Sequence, residues 1–404
     1  MNNWFEGIHN MRFAAVYNRT AMPNDKVCEF YLSIPTTDII KNWFHAKDIG
    51  KAFNREDTVV DNCQDRRSVR EKAVVNFIRK HDIKFARKLE DFLLQTNRWK
   101  NDRFYSFVDQ IKPDIVFSAI TGSVFVREVV KTVITRYPRC KYVGYIADDV
   151  YGVSSRKQKR TIEYLLGISS KIYGASQMLC CEYSNLFHMP VSPLYKGCRF
   201  THEVYLPSSN DLNTIKLVYA GNLYYGRDET LYQIIDAIVK TNTVSHKKIQ
   251  LIIYSGSPVD KKLAAKIKDS ISCTFMGKHP YQEVVGALAN ADIVLHVESF
   301  SEKWKKVVRY SFSTKIVDCL ESGSAFMAVG PQDVASISAA KEIPGAIVVT
   351  SGSEIPVAIQ AISSMNLEEK AKMTRKYAEK YHSISAVQKR ISVDFEKMTE
   401  SCAR

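Results

Sequence analysis

Long apolar runs are missing from this 404-residue chain: none reaches the ~18 residues that a membrane-spanning helix needs, so no transmembrane helix is expected. The opening "MNNWFEGIHN" has neither the basic start nor the apolar centre of a secretory signal, which predicts a cytoplasmic protein. Nine cysteines are too irregular for a disulfide framework: the count is odd, no CxxC pair occurs, and Cys180 and Cys181 are adjacent. Reduced thiols are expected, and no zinc site. Acidic residues are the scarcer charge, 43 against 57 lysines and arginines, for a net charge of +14. That excess favours anionic partners such as nucleic acid, anionic lipid or phosphorylated substrates. A generally basic, solvated surface accounts for it equally well, and no recognisable nucleic-acid motif accompanies it. Internal repeats and low-complexity tracts are absent too. What remains, 45% hydrophobic and 25% charged residues, suits a globular chain of two ordinary domains.

The second half is the more legible. "IKLVYAGN" (215–222), "KIQLIIYSG" (248–256), "CTFMGK" (273–278), "DIVLHVES" (292–299), "SAFMAVGP" (324–331) and "GAIVVTSG" (345–352) are short apolar runs. Amphipathic stretches separate them, at 228–240, in "PVDKKLAAKIKDS", in "PYQEVVGALANA" and at 314–322. Such alternation predicts a parallel sheet covered by helices on both faces, a Rossmann-like domain. The first half repeats the pattern less clearly, through "RFAAVYN", "PDIVFSAI", "CKYVGYIADD" and "SKIYGAS". The polar stretch "KGCRFTHEVYLPSSNDLNT" is the expected join. The predicted organisation is an N-terminal domain over 1–200, a second over 201–383, and a C-terminal helix over 384–404 that packs back on the first. The fold class is α/β, two Rossmann-like domains facing across a cleft.

Ligands in such sheets bind at the carboxyl ends of the strands, in the loops that open the helices. "YSFSTKIVDCLESGSAFMAVGP" (310–331) therefore places its polar end at the cleft. Ser311, Ser313 and Thr314 can cap the helix that follows, whose N–H groups and positive dipole end attract an anion. Lys303, Lys305, Lys306 and Arg309 crowd the same loop, just before that helix. Lys315 lies in the first turn, where a cation opposes the dipole unless a phosphate neutralises it. Asp318, one turn on, can accept two hydroxyl hydrogen bonds in the manner of a ribose-binding carboxylate. The plainer reading is a capped helix with scattered surface charges. In "AGNLYYGRDETL", Gly221 permits close approach to the backbone and Arg227 can hold a diphosphate bidentately. Equally, they are a turn and a solvated residue at a helix start.

The second half resembles the donor domain of GT-B glycosyltransferases, closest to the retaining family-four type. "YAGNLYYGRDETL", "CTFMGKHPYQEVVGALANADIVLHV" and "STKIVDCLESGSAFMAVGP" stand in that family's order and spacing. The resemblance implies that Gly221, Asn222 and Arg227 border the diphosphate, that His279 and its neighbours frame the base, and that Asp318 binds ribose. Ser313, Thr314 and Lys315 would supply further phosphate contacts. The family's usual pair of glutamates is not reproduced: the first position falls on Tyr310 and the second is Asp318. The sugar contact of the first glutamate is thus unassigned, with Glu298 as a substitute or as an ordinary acid at a strand end.

In the first domain, "YIADDVYGV" ends a strand with Asp148 and Asp149, which can orient an acceptor hydroxyl or take its proton. They can also simply cap a loop. They are not the DxD metal motif of the other glycosyltransferase fold, which occurs nowhere in the chain. Thr121, Gly122 and Ser123 form a second candidate loop. The stretch between Arg66 and Lys100 is basic, with Val69, Ala73, Phe77, Phe85, Leu89 and Phe92 at helical spacing. It reads either as a helix packed on the sheet or as one lying on an anionic membrane surface.

These readings converge on a cytoplasmic transferase of the hexosyltransferase kind, peripheral to the inner membrane face if its acceptor is lipid-linked. It would move a sugar from a nucleotide diphosphate sugar to a hydroxyl of a glycan or lipid-linked acceptor, with no cofactor and no metal. Arg227, Lys315, Asp148 and Asp149 would carry the catalysis. The alternatives are a nucleotide-sugar epimerase of the same fold, and a nucleic-acid-binding protein or DNA-modifying glycosyltransferase.

Overall fold

The computed structural model describes residues 2–21, 23, 27–56, 90–201, 204 and 213–400. It forms two compact units, one of Met1–Tyr173 with Arg390–Arg404 and one of Gly174–Lys389. Most of the basic stretch from Arg66, residues 66–89, lies outside the described residues. Among the described residues no helix is long and apolar enough to cross a membrane.

In the first unit, β1 (Ala14–Tyr17) pairs parallel with β2 (Phe30–Ser33), and β3 (Lys51–Asn54) pairs antiparallel with β2. A second sheet begins with β4 (Ile115–Ala119), β5 (Lys141–Ile146) and β6 (Lys171–Gly174) side by side, β4 and β5 being parallel. The helices α1 (Asp102–Ile111), α2 (Val124–Arg136) and α3 (Arg156–Gly167) alternate with those strands. One core, containing Leu32, Trp99, Phe104, Phe125 and Val133, takes residues from both sheets. Trp99 is fully buried, and its indole N–H donates to the Leu94 carbonyl at 3.0 Å, so its polar handle is satisfied. The end of the chain returns to this unit. Phe395 lies against Phe5 and Phe117, and the Tyr173 hydroxyl meets Asp394 at 2.5 Å.

The second unit opens with α4 (Gln177–Phe187) and β7 (Val191–Pro193). Its sheet has six strands: β8 (Thr214–Ala220), β9 (Lys248–Tyr254), β10 (Cys273–Gly277), β11 (Ile293–Val297), β12 (Ala325–Val329) and β13 (Ile347–Val349). Their order is β10-β9-β8-β11-β12-β13, all parallel, so the strand order reverses between β8 and β11. Between and after them run α5 (Arg227–Val244), α6 (Lys261–Lys268), α7 (Tyr281–Ala289), α8 (Glu302–Val308), α9 (Thr314–Glu321), α10 (Ala335–Lys341), α11 (Ile355–Ala361) and α12 (Leu367–His382); the last helix, α13 (Ile384–Glu400), belongs to the first unit from Arg390 on. Side chains alternate along each strand, so two cores form. Leu217, Tyr219, Leu295 and Met327 face one side with Ile235 of α5. Val218, Val294, Phe326 and Ala328 face the other with Ile316 of α9. Every residue of β11 and β12 is buried, which is why both read as continuous apolar runs.

The second unit begins at Gly174, and much of the expected join around 200 lies outside the described residues. Residues 174–199 bond to later parts of the same unit. Ser176 donates to the Tyr310 carbonyl at 2.8 Å, and the Tyr195 and Phe312 rings are 4.8 Å apart. The Cys198 N–H donates to the His382 carbonyl at 2.5 Å, and Ile384 N–H returns a bond to Cys198 at 3.1 Å. Gly197 is needed there, since a Cβ would stand 2.8 Å from the Ile384 Cα.

Candidate functional site

The expected residues of the second unit form two groups, both built on the carboxyl side of its sheet. The first surrounds the loop between β8 and α5. Tyr225 and Gly226 are both left-handed, at φ +62 and +72, and Gly226 is the N-cap of α5. A Cβ on Gly226 would stand 2.5 Å from Ser299 Oγ and from Trp304 Cδ1, so glycine is required by space as well as by φ. The turn aims Arg227 inward, not out to solvent. Its Nε and Nη2 fork onto Glu298 at 3.2 and 3.0 Å, and Nη1 donates to Asn222 Oδ1 at 2.7 Å. Gly221 lies beneath the Tyr219 ring, and the Tyr219 hydroxyl donates to the Asn222 carbonyl at 2.6 Å.

Glu298 is almost wholly buried, at 2% side-chain exposure against 11% for Arg227. His296 Nε2 stands 3.2 Å from Glu298 Oε1, at ion-pair distance but without hydrogen-bond alignment. Burial alone would raise the Glu298 carboxyl; His296 and Arg227 outweigh it and hold the pKa below its ordinary value. Burial likewise works against the Arg227 charge, and Glu298 more than restores it. Thr230 donates to the Glu298 carbonyl at 2.9 Å, so backbone and side chain of this residue are both tied.

The second group centres on Asp318, whose side chain is 9% exposed. Lys315, one turn before it on α9, donates to Oδ2 at 3.1 Å. Lys196 donates to Oδ1, also at 3.1 Å. Both oxygens are thus bonded, yet the lysines are half or one-third open, at 47% and 34% exposure. Burial lowers the Lys196 pKa, and Asp318 overcomes this and raises it. Ser313 caps α9 by accepting from the Lys315 N–H at 3.4 Å, and its own N–H donates to Ser336 Oγ at 2.9 Å. Thr314 is exposed at the start of that helix. His279, beyond β10, is held by Glu283 at 2.8 Å and the Met276 carbonyl at 3.1 Å, with its ring edge-on to Tyr254.

Three of the cations that precede α9 have local partners. Lys305 pairs with Glu302 at 2.5 Å and Asp333 at 3.3 Å, while Lys303 and Arg309 lie over the rings of Trp304 and Tyr310. They sit on or just after α8, a helix that the sequence reading leaves as loop. In the first unit, Asp148 is exposed after β5, and Asp149 accepts from the Gly152 N–H at 3.0 Å, which closes a turn. Gly122 serves packing: a Cβ there would meet the Gln158 side chain at 2.5 Å. Ser123 caps α2.

Lys196 and His296 were not singled out in the sequence. Nothing local marks Lys196, because its partner is far along the chain. His296 was readable: a histidine inside an otherwise apolar strand, two residues before an acid, needs a polar neighbour. Chemically, the Asp318 group offers two partly exposed cations, a carboxylate and a capped helix start. The Arg227 group offers a dry, fixed network.

No family model and no curated protein matches this sequence. Solved structures do match the fold. HepE of Anabaena in complex with UDP has 14% identity over 76% of this chain and 82% of its own, with a TM-score of 0.57. OtsA, in its apo structure, has 12% identity over 95% of this chain and 99% of its own, also at 0.57. A trehalose-6-phosphate protein from E. coli, bound with UDP-2-fluoro glucose, has 11% identity over 95% and 99% at 0.56. These likenesses show the fold, the two Rossmann-like domains of GT-B proteins.

Proposed function

We propose that the protein is a GT-B glycosyltransferase that moves a sugar from a nucleotide diphosphate sugar to a hydroxyl of a glycan or lipid-linked acceptor. The observation that carries this reading is Asp318, a nearly buried carboxylate between Lys196 and Lys315 at the start of α9. A ribose hydroxyl can donate to a carboxylate oxygen and accept from the adjacent ammonium, so the group is suited to a diol beside a diphosphate. Similar structures solved with UDP and UDP-2-fluoro glucose support the choice of ligand class.

In the reaction, the acceptor oxygen forms a bond to the anomeric carbon as the bond to the β-phosphate oxygen breaks. The acceptor proton passes to Asp148 or Asp149, and the nucleotide diphosphate departs with added negative charge. Lys315 and the N–H groups of α9 stabilise that charge more in the transition state than in the ground state. Transfer without a metal belongs to this proposal, since lysines then carry the neutralising role. Arg227, engaged by Glu298 and Asn222, acts by fixing the loop that borders the diphosphate. Retention at the anomeric carbon follows the family resemblance, as does an acceptor held by the first unit with Asp148 or Asp149 orienting its hydroxyl.

Thermal unfolding with a panel of nucleoside diphosphates and their sugars tests the reading. A true donor at ~100 times its dissociation constant adds ~2.7 kcal/mol of stability. No stabilisation by any of them overturns it, and an isomerised donor without a transfer product replaces it with the epimerase.

A further inference from the structure

A hollow of about 580 Å³ opens beside the β8–α5 loop, and neither group described above lines it apart from sharing that loop. Its walls carry three aromatic rings, Tyr224, Tyr225 and Trp304, and three carboxylates, Asp228, Glu229 and Asp260. Leu223 and Val259 complete an apolar floor. Among the described residues no lysine or arginine lines it, although the chain carries a net charge of +14. Lys303 and Arg227 lie over the Trp304 and Tyr225 rings at 4.2 and 5.7 Å, but neither is a lining residue.

The hollow is built. Tyr225 adopts a left-handed conformation that a bulky residue seldom takes, and Gly226 follows in the same region. The Tyr225 and Trp304 rings meet edge to face at 5.8 Å. The loops after β8 and β9 are joined where the Leu223 N–H donates to Ser257 Oγ at 3.1 Å. Tyr224 stays 55% exposed beside this frame, a large ring turned to water.

From these features we infer that the hollow is a binding site for a neutral saccharide. Aromatic faces pack against the C–H face of a sugar ring, and carboxylates accept from its hydroxyls. The volume lies within the range of small-ligand sites. The lining offers a phosphate no cation to pair with, which separates this site from the nucleotide diphosphate. An ammonium ligand is disfavoured, because the acids are already partly balanced. Asp228 and Glu229 occupy the first turn of an 18-residue helix, at its positive end, and Asp260 caps α6 by accepting from the Lys262 N–H at 2.8 Å. What is left is acceptor capacity rather than a strong field.

The test titrates the whole protein with maltotetraose, cellotetraose and chitotetraose, with spermidine as the cationic probe, by calorimetry. Saturable binding of at least one neutral tetrasaccharide is expected below about 10 mM. Tyr224→Ala and Asp260→Asn should each weaken it by ~10-fold, and Asp260→Asn should leave stabilisation by UDP unchanged. No saccharide binding up to that concentration overturns the inference. So does saccharide binding indifferent to both variants, or spermidine binding alone. The result stands apart from the proposed transfer reaction, which fails on the nucleotide panel whether or not the tetrasaccharides bind.

Discussion

Among the described residues of the second unit, Glu298 and Asp318 are buried carboxylates that each sit between a pair of basic side chains, and they are built to different ends. Glu298 faces Arg227 and His296, and every partner is nearly as buried as itself: 2% exposure for the acid, 11% for the arginine and 3% for the histidine. Asp318 faces Lys196 and Lys315, which are 34% and 47% exposed. A fork of rigid guanidinium bonds away from water has no easy way to open. Two ammonium groups on flexible stems can swing to an incoming ligand at small cost, because water replaces what they leave. Burial of an acid is thus poor evidence of a binding role until the mobility of its cations is known.

The sharpest way to break this contrast is Glu298→Ala. It leaves Arg227 charged in a dry site, and breaking a buried pair costs about 3–5 kcal/mol. Urea unfolding should show that loss. A stability change near zero together with lost nucleotide affinity would move Glu298 into the ligand site.

A buried histidine with no ion pair among the described residues sharpens the same point. His382 lies against Tyr195 and Tyr377, its Nδ1 has no hydrogen-bond partner, and burial pushes its pKa down to about 4. The folded value lies below the unfolded value of about 6.5. The stability it contributes is therefore complete above pH 6.5 and is lost as pH falls towards 4. The loss approaches ~3 kcal/mol at full protonation. Chemical unfolding at pH 7.5 and 4.5 measures it, and His382→Phe should flatten the difference.

Asp318→Ala should do the reverse of Glu298→Ala, leaving stability nearly intact while weakening nucleotide binding by about 1.5–3 kcal/mol. Lys315→Ala should slow transfer more than it raises the donor KM, and Lys196→Ala should weaken nucleotide and donor sugar alike. Equal, small effects of all three variants on binding would assign the Asp318 group to structure. The smallest change is expected from Asp149→Asn. An amide oxygen still accepts from Gly152, so the turn survives and nucleotide affinity does not move. Slower transfer at unchanged nucleotide affinity would give the acidic pair a part in handling the acceptor, whereas full turnover in both Asp148 and Asp149 variants would leave it a loop cap.

Much of the second unit was readable because its strands are buried on both faces. "IVLHV" and "AFMAV" can hardly be anything but interior strands between turn signals, and the helix starts at Arg227 and Thr314 announce themselves through Gly226 and Ser313. The seven-residue helix Glu302–Val308 was not readable: its "EKWKKVV" is charged, short and lacks a side-chain cap. The allegiance of residues 174–199 was not readable either. It rests on pairs such as Ser176 with Tyr310 and Lys196 with Asp318, which no local pattern encodes. For the same reason the motif residues mark loops on the carboxyl side of the sheet but not the partners they have there. Arg227 was expected to reach a diphosphate, and its nitrogens are instead occupied by Glu298 and Asn222.

The return of the chain end to the first unit sets an order for biosynthesis. Asp394 and Phe395 are made after the whole of the second unit, yet they complete contacts with Tyr173, Phe5 and Phe117. On the ribosome the second unit can close first, while the first waits with part of its aromatic cluster uncovered. A polymerase or ribosome that stops between Gly174 and Lys389 therefore leaves a fragment with exposed apolar surface, the kind of species that chaperones and proteases recognise.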